Sequence, residues 1–200
     1  LKKISILDRI LLLITGLLAA YQIVVGMKNA GTLAISAYTV AFGVLLVAGL
    51  LIIILGFDVL DSPLVVIVST IIPLSLSLGL VSQYLPSWQA AYIIFVVVGF
   101  LLVVYSRYKM EGAMAVIPLA SVHGIAGMTI FLLPIIFSIQ GKAANGFFWV
   151  GIGGALIGIG GLLLAFLKSG KAILSKKTIL TVLPGLLLLM AAAFMVGFAA

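Results

Sequence analysis

Seven apolar stretches, each long enough to cross a bilayer and parted from the next by a short run of turn-forming or charged residues, constrain this chain more than any other feature. A hydrocarbon core is crossed by roughly 20 helical residues, and the stretches run over about 6–26, 34–56, 63–82, 88–106, 113–138, 146–167 and 178–200. Backbone amides in hydrocarbon must find partners within their own segment, so each stretch is expected as an α-helix. Composition agrees: with 65% of residues hydrophobic and 8% charged, too little polar side chain is present to cover a water-facing surface. The expected fold class is an all-α polytopic membrane protein, a single domain of seven transmembrane helices over residues 1–200. Short connections make sequential helices neighbours, which predicts an up-and-down bundle.

Charge then orients the spans. Lys2, Lys3, Arg9, Arg107, Lys109, Lys168, Lys171, Lys176 and Lys177 fall on one side of this layout, and only Lys28 and Lys142 on the other. Cytoplasmic loops hold the positive excess, so the N-terminus is expected inside and the C-terminus outside. The net charge of +7 lies in short loops, where it reads as a topology signal and as contacts for anionic lipid headgroups. Nucleic acid is not an expected partner; membrane lipids are, together with other membrane subunits or further copies of the chain. The first span reads as a retained helix, because the apolar run from Ile10 to Met27 exceeds the ~7 to 15 residues of a signal peptide. Compactness and short tails suggest the cytoplasmic membrane of a prokaryote.

Turn chemistry falls between the spans, at Asn29, Gly31, Asp61, Ser62, Pro63, Pro86, Ser87, Gly112, Gly141, Asn145, Ser169 and Gly170. Trp88, Trp149, Tyr84, Tyr92, Tyr105 and Tyr108 lie near span ends and read as an interfacial aromatic belt. A faint repeat places a proline among apolar residues at Ile72-Pro73-Leu74, Ile117-Pro118-Leu119 and Leu183-Pro184-Gly185. Each removes a helix hydrogen bond and favours a kink, as a packing feature or as the frame of a cavity. In the sixth span Gly151, Gly154, Gly158 and Gly161 share one face, where a second backbone can approach closely, from the same chain or from another subunit. Gly153 and Gly160 lie on a different side.

Candidate chemistry is sparse. The acids Asp8, Asp58, Asp61 and Glu111 all map to the positively charged side, where water is expected to reach them, and none to the bilayer midplane. Asp58 and Asp61 form either a helix-end cation site or, more simply, a loop that favours the start of the next helix. His123 is the only histidine and the only clearly intramembrane ionisable group. Its neighbours Ala120, Ala126 and Gly127 are small, which turns the ring toward another helix, with Ser69, Thr70, Ser75, Ser77 or Ser82 of the third span as possible hydrogen-bond partners.

Most catalytic readings fail on inventory. One histidine and no cysteine supply no zinc site, and a bis-histidine haem cannot form within the chain. A His/Met haem using Met110, Met114, Met128, Met190 or Met195 stays open. A serine protease would need a hydroxyl beside the base, and Ser121 points elsewhere on the helix. A retinal site would need a lysine in the last span, and residues 178–200 hold none. No cofactor is therefore expected. Two function classes remain. One is a non-catalytic membrane subunit or scaffold, docking through its glycine face. The other is a small facilitator with a pathway between spans three, five and seven, lined by Ser69, Thr70, Ser75, Ser77, Ser121, His123 and Thr181. A redox subunit holding haem or quinone near His123 trails both.

Overall fold

The computed structural model describes residues 3–27, 30–168 and 173–200. Lys2, Lys28, Asn29, Ser169, Gly170 and Lys171 lie outside them. Seven long helices account for almost all of the described chain, with no strand among the described residues: α1 (Ile6–Val25), α2 (Thr32–Leu55), α3 (Pro63–Tyr84), α4 (Gln89–Lys109), α5 (Val116–Ile139), α6 (Phe148–Lys168) and α7 (Lys176–Ala199). All seven are long and apolar enough to cross a membrane, so the chain is an integral membrane protein by length and composition.

Local chemistry sets the helix ends. Ser5 caps α1 in a reciprocal box: Asp8 N donates to Ser5 Oγ (3.1 Å) and Ser5 N donates to Asp8 Oδ2 (2.9 Å). Two helices stop where the chain turns through left-handed glycines, Gly26 (φ 68°) after α1 and Gly56 (φ 79°) after α2. Ser62 and Pro63 open α3, the proline sitting where no helical N–H is needed. Among the repeated prolines, Pro73 and Pro184 lie inside helices, whereas Pro118 falls in the first turn of α5 and breaks no bond there. The interior proline of α5 is Pro134. The three-kink pattern expected from the repeat is corrected accordingly.

Each helix packs on its sequence neighbours, and α1 also packs on α7 and α3 on α5. Helices α1, α2, α3, α5, α6 and α7 thereby form a closed circuit, with α4 outside it against the seam of α3 and α5. Side chains fill the circuit: Tyr38, Phe42, Leu76, Leu80, Ile130, Val150, Met190 and Phe194 form one buried cluster with Ala19 of α1. Tyr38, Phe42, Phe147, Phe194 and Phe198 interlock at one end, with Tyr38 and Phe198 centroids 4.9 Å apart. Two members of the expected aromatic belt belong inside this packing. Tyr84 lies against Phe137 and Phe147, and Tyr92 bonds to Thr129, whereas Trp88, Trp149, Tyr105 and Tyr108 are exposed as a belt requires. Half-buried among side chains of other elements, the first two rings gain more from neighbouring aromatics and hydroxyls than from the headgroup layer.

Tyr38 also ties α2 to α3, donating its hydroxyl to Gln83 Oε1 at 3.0 Å. Its ring occupies the space where a Cβ on Gly79 would stand. Gly79→Ala is therefore expected to destabilise by about 1 to 3 kcal/mol through overpacking. Gly43→Ala, with nothing near the added methyl, should be neutral or stabilising by up to about 1 kcal/mol. Unfolding of both variants in the same detergent micelles checks the contrast, and equal effects would refute it.

Candidate functional site

His123 lies in the first half of α5 and is partly buried. Its Nδ1 donates to the Leu119 carbonyl one turn earlier, at 3.0 Å, the tautomer that a carbonyl acceptor selects. The bond stays on its own helix, and no α3 hydroxyl is its partner. This departs from the expected interhelical bond, for a simple reason: an imidazole can reach back to the i−4 carbonyl at no cost in helix geometry. Arg107, at the end of α4, lies close enough for its charge to act on the ring.

The hydroxyls follow the same rule. Ser69 and Thr70 both donate to the Val66 carbonyl (3.0 and 2.8 Å), and Ser77 donates to Pro73 O and Leu74 O (2.6 and 3.1 Å). Thr181 donates to Lys177 O (2.8 Å) on an exposed stretch of α7, and Ser121 is exposed on α5. Ser75 is partly buried. Packing brings α3 and α5 together, while α7 makes its main contacts with α1 and α6. Ser69, Thr70, Ser75, Ser77 and His123 thus belong to neighbouring helices, whereas Thr181 lies on another side of the bundle.

One polar contact between helices has no signature in the sequence. Tyr92 of α4 donates to Thr129 Oγ1 of α5 at 3.1 Å, with the Ser77 side chain of α3 alongside. Three helices meet at these hydroxyls, and Tyr92 and Thr129 line an open, mainly apolar groove of about 460 Å³ together with Val81, Leu85, Trp88, Met128 and Phe137. Nothing in the sequence announces which hydroxyl a tyrosine meets on another helix.

Asp8 was expected at a water-accessible edge and is buried, with 4% of its surface exposed. It shares the inner face of α1 with Thr15 and Gln22, seven residues apart in turn, and both of those bond to their own backbone, at Leu11 O and Gly26 O. Asp8 is held by the α1 capping box, and burial follows from where α1 packs on α2 and α7. Asp61 forms an exposed ion pair with Lys176 (3.1 Å), joining the α2–α3 turn to the start of α7. Asp58 is exposed, and no group of three or more metal-ligating side chains occurs among the described residues.

The glycine face of α6 is used in part. A Cβ on Gly151 would stand 2.6 Å from the Phe131 carbonyl oxygen, and one on Gly154 2.9 Å from the Ile130 carbonyl carbon, so both glycines lie against the backbone of α5. On the other side Gly153 meets Phe194 and Met190 O of α7, and Gly160 meets Leu186. Gly158 and Gly161 meet nothing within 4 Å. Compared with models of protein families, with curated proteins and with solved structures, the chain matches none.

Because the Leu119 carbonyl keeps its helical donor when the imidazole is removed, His123→Leu should change unfolding stability by less than about 1 kcal/mol. A loss of 2 kcal/mol or more in micelles would mean that the ring holds a second helix after all.

Proposed function

We propose that this chain is a non-catalytic integral membrane subunit or scaffold, docking another membrane protein or a second copy of itself along the uncovered half of the α6 glycine face. The observation that carries this reading is the contrast within one stripe: Gly151 and Gly154 are pressed onto α5, while Gly158 and Gly161 face open space. Between membrane helices no hydrophobic effect drives association, so close backbone approach at small residues is the main source of contact energy. An open stretch of such residues is what an incoming helix uses. The filled centre of the helical circuit fits a scaffold better than a conduit.

The two halves of the face separate by substitution. Gly154→Leu should damage the folded monomer, because the new side chain meets the backbone of Ile130. Gly158→Leu should leave the monomer intact and shift the oligomer, or release a co-purifying subunit, in crosslinking and native mass spectrometry. A Gly158→Leu protein with wild-type assembly would remove the docking reading.

We place the helices in an up-and-down bundle with the N-terminus cytoplasmic and the C-terminus outside, on the charge asymmetry of the loops. A reporter fused after Ala200 is then extracytoplasmic and one between Lys171 and Lys177 cytoplasmic. Both reporters on one side would overturn the arrangement. The membrane we assign is the cytoplasmic membrane of a prokaryote.

The alternative is a facilitator for a neutral or weakly polar solute; because α7 packs mainly on α1 and α6, its pathway would run between α3 and α5 alone and not include α7, with His123 and the α3 hydroxyls on its wall. Partial burial of His123, and an Nε2 with no hydrogen-bond partner among the described residues, favour it. A redox subunit with haem or quinone near His123 is the third reading, and a visible spectrum of the purified protein tests its haem form.

A further inference from the structure

We propose that the turn joining α4 to α5 holds the anionic headgroup of a membrane phospholipid on Arg107. Arg107 follows Val103 by one helical turn, on the face of α4 that packs with Leu74 of α3 and with Val122 and Ala126 of α5. Its guanidinium therefore stands at the mouth of that seam. Nη2 donates to the Ala115 carbonyl (2.9 Å) in the short turn Gly112–Ala115, and Nε is buried with no hydrogen-bond partner.

A guanidinium presents five N–H donors in a planar fork, so one bond to a carbonyl leaves its charge and most of its donors unmatched. No carboxylate completes it. Asp61 pairs with Lys176, Asp8 belongs to the cap of α1, and Glu111, though near in sequence, is exposed and forms no ion pair with Arg107. The partner that this cation lacks within the chain is an anion of matching geometry.

Place and charge identify it. Tyr105 and Tyr108, 58% and 63% exposed, mark the headgroup level at this end of α4, and Lys109 adds a second exposed cation. A phosphate ester accepts two N–H groups of an arginine fork side by side. A zwitterionic headgroup brings its own ammonium to compete for the phosphate, so the site favours a lipid of net negative charge. This inference rests on the chain crossing a membrane and not on its docking role.

The test uses the full chain in neutral detergent, with phosphatidylglycerol or phosphatidylcholine added, read by native mass spectrometry and by the unfolding temperature. The wild type should retain phosphatidylglycerol about fivefold better than phosphatidylcholine, the effect of roughly one basic residue at an anionic surface. Arg107→Gln should bring the ratio to parity, and Arg107→Lys, which keeps the charge but not the fork, should fall between. Lys142→Gln, in the turn at the other end of α5, should leave the ratio unchanged. A wild type without preference, or Arg107→Gln with the wild-type ratio, overturns the site. If Arg107→Gln does not fold, an Arg107→Lys ratio equal to the wild type's overturns recognition by the fork. Inorganic phosphate that displaces phosphatidylglycerol and stabilises equally would show a free-anion site, and the lipid assignment falls.

Discussion

Hydrocarbon offers no hydrogen bonds, and the rest of this structure follows from that deficit. Every backbone N–H and C=O at membrane depth needs a partner inside the protein, which makes each apolar stretch a helix. The same need disposes of the polar side chains. Thr15, Ser69, Thr70, Ser77, Ser106, Thr129 and Thr181 all turn back onto carbonyls of their own helices, and His123 does likewise. Hydroxyls that bond locally are satisfied whichever way the helices pack. They hold little of the tertiary structure, and bonds between helices, such as Tyr38 to Gln83 and Tyr92 to Thr129, are few.

Packing must therefore supply what hydrogen bonds between helices do not. Helix α6 sits between α5 and α7, with Gly151 and Gly154 on one neighbour and Gly153 and Gly160 on the other, while Gly197 of α7 approaches the backbone of Val150. Dispersion gains at such contacts are small per atom and large per helix. They depend on the absence of a Cβ, and so on residues that add nothing to hydropathy. The aromatic cluster around Phe198 packs at the same end of this interface, with the Phe194 ring over Gly153.

Spans were legible in the sequence because length and apolarity are properties of a single segment; the expected and observed boundaries differ by a few residues at most. Contacts were not legible, because these helices are apolar on nearly every side. In a soluble protein a polar face opposite an apolar one tells which side is buried. Here α2, α3 and α5 carry aliphatic residues around the whole cylinder, so nothing distinguished the half of the α6 glycine face that meets α5 from the half that does not. Asp8 misled for a related reason: acids at helix starts usually face water, and its burial depends on where α2 and α7 lie. Tyr84 and Tyr92 read as belt residues because a belt is defined by depth along the helix, whereas their packing is set by direction around it.

The same size logic gives the bundle two unlike outer edges. Helix α4 stands outside the circuit and turns Ile94, Val97, Val98, Leu101 and Leu102 outward, branched side chains that fill the irregular space between acyl chains and hold a neighbouring backbone at a distance. Helix α6 leaves Gly158 and Gly161 bare below its tight contacts, a surface that lipid tails pack against poorly and a helix packs against well. Where no water is present to sort polar from apolar, the size of side chains decides which face meets lipid and which meets protein. On that criterion the outward face of α4 suits acyl chains, and the bare glycines of α6 are the surface that the docking we propose would use.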